Sequence, residues 1–280
     1  MDTPSWRTAL QAFPIREVDT DAGAVTFRES GAGDAIVLLH GISSGCGSWV
    51  YQLSHFARSA RCVAWDAPGY GGSLAIEAAS PTAADYAHRL QLFLDALQIQ
   101  KALVVGHSLG ALMAAAFAAQ HADRVRAMVL LNPAIGYGAA PPETAERKLS
   151  ARLEQLAALG VEGLAETRAQ VLVSPQAPSD AVELIRWNMR RLVPSGYAQA
   201  ARMLAYGNLL NDAASYDGSV LVASGTEDTI TPPDACRGVA EAFPQARYCA
   251  LPGLGHASYL EDPVLVNRHL DDFRRTMAHG

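Results

Sequence analysis

The residues with the most chemistry in them are Gly106-His107-Ser108-Leu109-Gly110, a serine with a glycine two positions to either side. A serine hydroxyl is inert at neutral pH unless a base takes its proton as it attacks. What marks this serine is its setting. The apolar run 102–106 reads as a strand and 109–120 as a helix, so Ser108 falls on the turn between them, at the carboxyl end of a sheet. Glycines allow that turn to be sharp. The first amide of the following helix, Leu109 N–H, then points to where the oxyanion of a tetrahedral intermediate would form. Ser108 is the candidate nucleophile and Leu109 a candidate oxyanion donor.

A base, and an acid to orient it, must come from elsewhere in the chain. Of eight histidines, His256 in Gly253-Leu254-Gly255-His256-Ala257 lies on a loop after the last strand-like run, where a base serving Ser108 belongs. His107 adjoins the serine, and its side chain should point away from it. His40, at another strand end, reads as a brace for the loop that follows. His55, His88, His121, His269 and His279 fall on helical or terminal segments and read as packing or solvated residues. For the acid, Asp228 follows the strand-like run 219–223 at the same sheet edge, with Glu227 its nearest competitor. Glu261 and Asp262 read as exposed charges before the final helix. A second oxyanion donor is expected from His40-Gly41-Ile42-Ser43-Ser44-Gly45, where Gly41 permits close backbone approach and the Ile42 amide is the choice.

Those positions have a purpose only if a sheet gathers them. Residues 24–29 alternate with period two, and 35–40 and 61–66 are apolar runs too short for helices, as in strands buried on both faces. Residues 82–97 place Tyr86, Leu90, Phe93, Leu94 and Leu97 at helical spacing behind Thr82 as N-cap. Together with 102–106, 109–120 and a strand at 125–131, this alternation implies an α/β fold, a mostly parallel central sheet with helices on both faces. The rhythm stops after Pro133. Residues 139–216 show helical patterns only, split by Pro141-Pro142, Gly160, Pro175, Pro178, Pro194 and Gly207. The sheet resumes at 219–223, followed by a helix at 234–242, a strand at 247–251 and a last helix from Pro263. The expected organisation is one α/β core, residues 1–138 and 217–280, interrupted by a helical insert at 139–216. Within it, Val182, Ile185, Met189 and Leu192 form a stripe on one helix, with Ser179 as N-cap, that reads as packing on the core rather than a ligand wall.

Bulk properties exclude several classes. The chain has 280 residues, 50% hydrophobic and 18% charged, which suits one large packed core and not disorder. The net charge is −6, and no basic run exceeds Arg190–Arg191 or Arg274–Arg275, so nucleic-acid and anionic-membrane binding lose their electrostatic basis. Four cysteines, with neither Cys-x-x-Cys nor Cys/His metal spacing, read as reduced thiols in a cytoplasmic protein with no metal site. Residues 1–6 lack the basic start and apolar centre of a signal peptide. No apolar run approaches the roughly 18 residues that a bilayer span needs. A homo-oligomer is neither favoured nor disfavoured by any of this.

Taken as a set, His40-Gly41, Asp66-Ala67-Pro68-Gly69-Tyr70-Gly71-Gly72-Ser73, the Ser108 motif, Gly225-Thr226-Glu227-Asp228 and Gly255-His256 resemble the α/β-hydrolase-fold enzymes that carry a helical cap. The order Ser108, Asp228, His256 is that family's, not that of the chymotrypsin or subtilisin folds. The resemblance implies acyl transfer from a small-molecule substrate to water through an acyl-enzyme, with no metal or organic cofactor. Some members carry the acid after the sixth strand. Here that position is Asn132, which leaves Asp228 in the role.

In such enzymes the cap selects the substrate. Residues 192–198, Leu-Val-Pro-Ser-Gly-Tyr-Ala, resemble the cap of 3-oxoadipate enol-lactonases, so a small carboxylic ester or enol-lactone is the leading expectation. The alternative is cleavage of a C–C bond in a dienoic diketone, as in meta-cleavage-product hydrolases. Those enzymes tend to have Gly-Pro-Gly after His-Gly and Trp after the histidine, where this chain has Ile42-Ser43-Ser44 and Ala257. A haloalkane dehalogenase would need an aspartate nucleophile, and the same oxyanion hole would also serve a perhydrolase side reaction. A non-catalytic binding scaffold is the rival of a different class. Trp49, Tyr137, Arg186, Trp187 and Arg190 are the candidate substrate-binding residues. Arg186 and Arg190 lie one helical turn apart and could grip a carboxylate, or instead pair with Glu183. Trp49 is expected in the acyl pocket and Cys46 as part of its wall.

Overall fold

The computed structural model describes residues 5–277, so residues 1–4 and His279 lie outside it. The chain begins with α1 (Trp6–Gln11) and a short strand β1 (Arg16–Val18), then β2 (Val25–Ser30) and β3 (Ala35–Leu39). A 3₁₀ turn at Cys46–Trp49 leads into α2 (Val50–Phe56), followed by β4 (Arg61–Trp65), α3 (Ala83–Ala96) and β5 (Ala102–His107). Next come α4 (Leu109–Gln120) and β6 (Val125–Leu131). Four helices intervene before the sheet resumes: α5 (Pro142–Arg168), α6 (Ser179–Met189), α7 (Pro194–Tyr206) and α8 (Leu209–Ala213). The chain ends with β7 (Val220–Gly225), α9 (Pro233–Ala242), β8 (Ala246–Leu251), α10 (Ser258–Glu261) and α11 (Pro263–Met277).

The strands form one sheet in the order β1-β2-β4-β3-β5-β6-β7-β8. The pairs β1–β2 and β2–β4 are antiparallel, and the pairs from β4 to β8 are parallel. This register gathers the site. Leu39 pairs with Gly106, His107 with Leu131, Leu131 with Ala223, and Gly225 with Leu251. The loops holding Ile42, Ser108, Asn132, Asp228 and His256 therefore all leave the same edge of the sheet, the carboxyl edge of its parallel strands.

The helices form where side-chain spacing demands it. At α3, Thr82 and Asp85 make a reciprocal capping box, Asp85 N–H to Thr82 Oγ1 at 3.3 Å and Thr82 N–H to Asp85 Oδ2 at 2.7 Å, a device worth about 1 kcal/mol. Helix α4 is apolar on every face and is buried from Leu109 through Ala118, as a helix between a sheet and other helices must be. At α6 the cap differs from expectation: Pro178 is the N-cap and Ser179 is the first helical residue, with no side-chain cap bond. Strand β1 carries no apolar alternation and two of its three residues are exposed, so the sequence pattern gave no signal for it.

Two features shape the inserted helices. Helix α5 breaks at Gly160 (φ 60°, ψ −178°) into two arms, a left-handed backbone setting that suits glycine. Helix α7 seats on the core through glycine: a Cβ at Gly196 would lie 1.8 Å from the Gly69 carbonyl oxygen, so backbone packs on backbone there. Among the described residues, no helix is long and apolar enough to cross a membrane.

Candidate active site

Ser108 sits between β5 and α4 with φ 52° and ψ −114°. A non-glycine residue at such angles stores about 1–3 kcal/mol and is held there by its surroundings. Its N–H donates to Leu131 O at 3.0 Å, and its carbonyl accepts from Ala111 and Ala134 N–H. A Cβ on Gly110 would lie 2.2 Å from Leu39 O, so the first turn of α4 rests directly on the end of β3. The sharp turn thus needs the glycine as well as the serine.

Asp228 is buried in the turn after β7, and its carboxylate is surrounded by donors. Oδ1 accepts from Ile230 N–H at 2.7 Å and Thr231 N–H at 3.0 Å. Oδ2 accepts from Thr231 Oγ1 and Asn132 Nδ2, both at 2.7 Å, and from His256 Nδ1 at 2.9 Å. Burial alone would raise this carboxyl, but the His256 and Thr231 hydrogen bonds and the His256 charge outweigh it and hold the group well below the ordinary carboxylate range. A carboxylate that must accept on Oδ2 fixes the proton of a neutral His256 on Nδ1, which leaves Nε2 as the basic nitrogen. Glu227, the competing acid, is exposed. His256 and Ser108 line the same cavity, and no hydrogen bond joins the serine hydroxyl to the ring.

The other two buried histidines near the site are structural. His40 Nε2 accepts Ala67 N–H at 3.0 Å, so Nδ1 carries the proton and donates to Gly41 O at 2.8 Å. Tyr70 donates to Ile42 O at 2.8 Å, and Asp66 Oδ1 accepts Cys46 N–H at 2.8 Å. These bonds hold the 41–49 loop against the Ser108 turn, where a Cβ at Gly41 would lie 3.2 Å from Ser108 Cβ. The Ile42 and Leu109 amides are not taken up by turn or loop hydrogen bonds. Cys46 does not line the cavity; its thiol donates to Asp66 Oδ2, and burial followed by the Asp66 charge pushes it well up.

His107 lines the cavity beside Ser108 and donates from Nε2 to the His256 carbonyl at 2.9 Å. Burial, then the nearby His256 charge, lowers it to about 3. The unfolded chain binds a proton there near pH 6.5, so the folded state binds fewer protons over the interval between. Stability from this residue is complete above pH 6.5 and declines as acid is added towards pH 3, at about 1.4 kcal/mol per pH unit. His40, also lowered by burial, acts in the same direction. Urea unfolding at fixed ionic strength should show a lower midpoint at pH 5 than at pH 7, the unfolding free energy falling by about 2 kcal/mol for His107 alone. An unchanged midpoint would contradict this placement.

The site opens into a cavity of about 250 Å³ between the sheet edge and the inserted helices, small as ligand pockets go. Of the five residues expected to bind substrate, Tyr137 lines it. The other four do not. Trp49 is fully buried one layer behind, stacked on Tyr259 with ring centroids 4.3 Å apart, and Tyr259 is the cavity residue. On α6 the cavity is lined by Ile185, Met189 and, just beyond the helix, Leu192. At 100° per residue, Arg186 and Arg190 lie a quarter turn off that line and Trp187 on the far side. Arg186 pairs with Glu183 (2.7 Å) and Glu166 (3.5 Å), and Arg190 with Glu162 (2.8 Å) and Glu166. Trp187 packs outward on Trp6. The apolar stripe read as core packing is thus cavity wall at three of its four positions.

Two further contributors had no clear signal in the sequence. Glu261 is buried rather than exposed, and accepts Gly255 N–H on Oε1 and Ser174 N–H on Oε2, both at 2.9 Å. With Ala257 N–H donating to Leu172 O at 2.7 Å, it stitches the His256 loop to the segment between α5 and α6. Asn132 not only replaces an acid but binds one, and Ser258 fixes its amide by donating to Oδ1 at 2.7 Å. Among the described residues no group of three or more His, Cys, Asp or Glu could hold a metal ion.

A family profile described as alpha/beta hydrolase fold matches residues 34–263. A 2-hydroxy-6-oxononadienedioate/2-hydroxy-6-oxononatrienedioate hydrolase of Paraburkholderia phymatum is 28% identical over 262 residues, covering 89% of this chain and 90% of that protein. The dihydrolipoyllysine-residue acetyltransferase component of the acetoin cleaving system of Cupriavidus necator is 33% identical over 121 residues, but the chain spans only 32% of its length. Among solved structures, an enol-lactonase from Burkholderia xenovorans LB400 superposes with a TM-score of 0.80 at 25% identity, covering 93% of this chain and all of that one.

Proposed function

Because the chain belongs to the α/β-hydrolase-fold family and is a hydrolase, we propose that it cleaves a small carboxylic ester or lactone through an acyl-enzyme on Ser108. The observation that carries this reading is the 2.9 Å bond from His256 Nδ1 to a five-donor carboxylate, on the wall of the cavity onto which Ser108 opens.

In the proposed cycle Ser108 Oγ attacks the substrate carbonyl carbon as His256 Nε2 takes its proton. The carbonyl π pair moves onto oxygen, and the Ile42 and Leu109 amides hold the oxyanion. Collapse expels the leaving oxygen, which takes the proton from His256. Water then attacks the acyl carbon, its proton passing to His256 and on to the departing Ser108 oxygen. Asp228 keeps the imidazole in one tautomer and offsets its charge at the protonated stage.

The Paraburkholderia relative supports a second reading, in which the same residues release a carboxylic acid by C–C cleavage of a dienoic diketone. A screen of purified protein separates them: p-nitrophenyl esters and enol-lactones for the first, loss of colour from a yellow ring-fission dienoate for the second. Fluorophosphonate should label Ser108. A protein that takes no label and turns over none of these substrates is a binding scaffold, and the proposal fails.

A further inference from the structure

Two arginines from the inserted helices line the cavity, Arg152 on the first arm of α5 and Arg168 at the end of the second. In a straight helix, residues sixteen apart would be about 24 Å apart. The break at Gly160 is what lets both reach one cavity. Both are half-buried, and neither pairs with a carboxylate among the described residues, whereas Arg186 and Arg190 on the outer face each bind two. No aspartate or glutamate lines this cavity. Arg152 lies towards the Ile42 loop: burial raises the Tyr70 phenol, and the Arg152 charge works against that rise. Arg168 lies towards the His256 loop, four residues before Leu172, whose carbonyl accepts Ala257 N–H. Lys148, one turn before Arg152, sits 5.8 Å over the ring of the cavity residue Tyr137 and adds a third positive charge.

An arginine stays charged at any ordinary pH, and uncompensated charge in a largely apolar cavity is costly. Selection against that cost is easiest to understand if the substrate brings the counter-charge. We infer that Arg152 and Arg168 recognise a carboxylate on the substrate remote from the scissile bond, so that the preferred substrate is an anionic ester or lactone. Planar forks on two sides would hold such a group by charge-assisted hydrogen bonds and leave the carbonyl at Ser108. This builds on the proposed hydrolysis but has a readout of its own.

Two p-nitrophenyl esters of equal chain length test it, the neutral valerate and the monoester of glutaric acid, with glutarate itself as a binding probe. The native protein should prefer the glutarate monoester in kcat/KM by at least about tenfold. In Arg152→Gln/Arg168→Gln that ratio should fall about tenfold or more, chiefly through KM, whereas Arg190→Gln, outside the cavity, should keep it. Calorimetry on Ser108→Ala should show glutarate binding that the added arginine substitutions abolish. A preference for the neutral ester, or glutarate binding indifferent to both arginines, overturns the inference. If neither ester turns over, the hydrolytic reading rests on the labelling and the lactone and dienoate assays, and the calorimetry alone decides this inference.

Discussion

Ser108→Ala is expected to lower kcat roughly 10⁴- to 10⁶-fold and to abolish fluorophosphonate labelling, while the thermal midpoint stays within a few degrees of the parent. The activity loss is large because no other nucleophile lies where Ser108 does: Cys46 faces Asp66 outside the cavity, and His107 is tied to the His256 carbonyl. The stability change is small because alanine keeps the Cβ and inherits the same backbone angles, so the strain at φ 52° is neither relieved nor added to. The hydroxyl itself holds nothing in place. Residual rate over water would come from the Ile42 and Leu109 amides and from binding. Turnover of a p-nitrophenyl ester within tenfold of the parent rate would remove Ser108 from the mechanism.

Asp228→Asn should cost about 10⁴ in kcat/KM and, unlike the serine change, should also lower the thermal midpoint. All five polar contacts on this side chain are donors. An amide must turn its NH₂ towards some of them. If it replaces Oδ2, His256 Nδ1 becomes an acceptor and the imidazole proton shifts to Nε2, so the base is lost. If it replaces Oδ1, two backbone N–H groups go unpaired at about 1–3 kcal/mol each. The carboxylate's contribution to stability is present above its unfolded value near 3.9 and is lost as pH falls towards the depressed folded one. The difference in unfolding free energy between parent and variant should therefore persist from neutrality to about pH 4 and close only below it. Retained activity, or equal stability at neutral pH, would contradict the geometry.

How much of this the sequence discloses depends on how local each cause is. Helix α4 and strand β6 run from Leu109 to Gln120 and from Val125 to Leu131, the residues their patterns mark, because length and residue type separate two apolar runs: twelve residues rich in alanine suit a helix, seven with valine and leucine a strand. The loops carrying Ser108, Asp228 and His256 are legible for the same reason, each following a strand. Glu261 is not, since nothing in Tyr259-Leu260-Glu261-Asp262 says that two distant backbone amides, Gly255 and Ser174, will meet its carboxylate. Arg186 and Arg190 show a different failure. Their spacing of four correctly puts them on one side of α6, but which side faces the cavity follows from the neighbouring Ile185 and Met189 stripe, a signal already present in the sequence. Arg152 and Arg168 are beyond local reading altogether, because their meeting depends on the direction in which the chain turns at Gly160.

The backbone contact between Gly69 and Gly196 has a practical corollary for engineering. Transplanting lids between relatives is an obvious way to change what such a scaffold accepts, and chimaeras are usually joined where the chain crosses from one unit to the other. The contact at Gly196 lies far from both ends of the helical stretch between β6 and β7. A donor lid with any side chain opposite Gly69 would be wedged off its seat, however well its junctions were chosen; because the obstacle is the Gly69 backbone, no substitution there relieves it, and the graft must carry its own glycine at the position of Gly196.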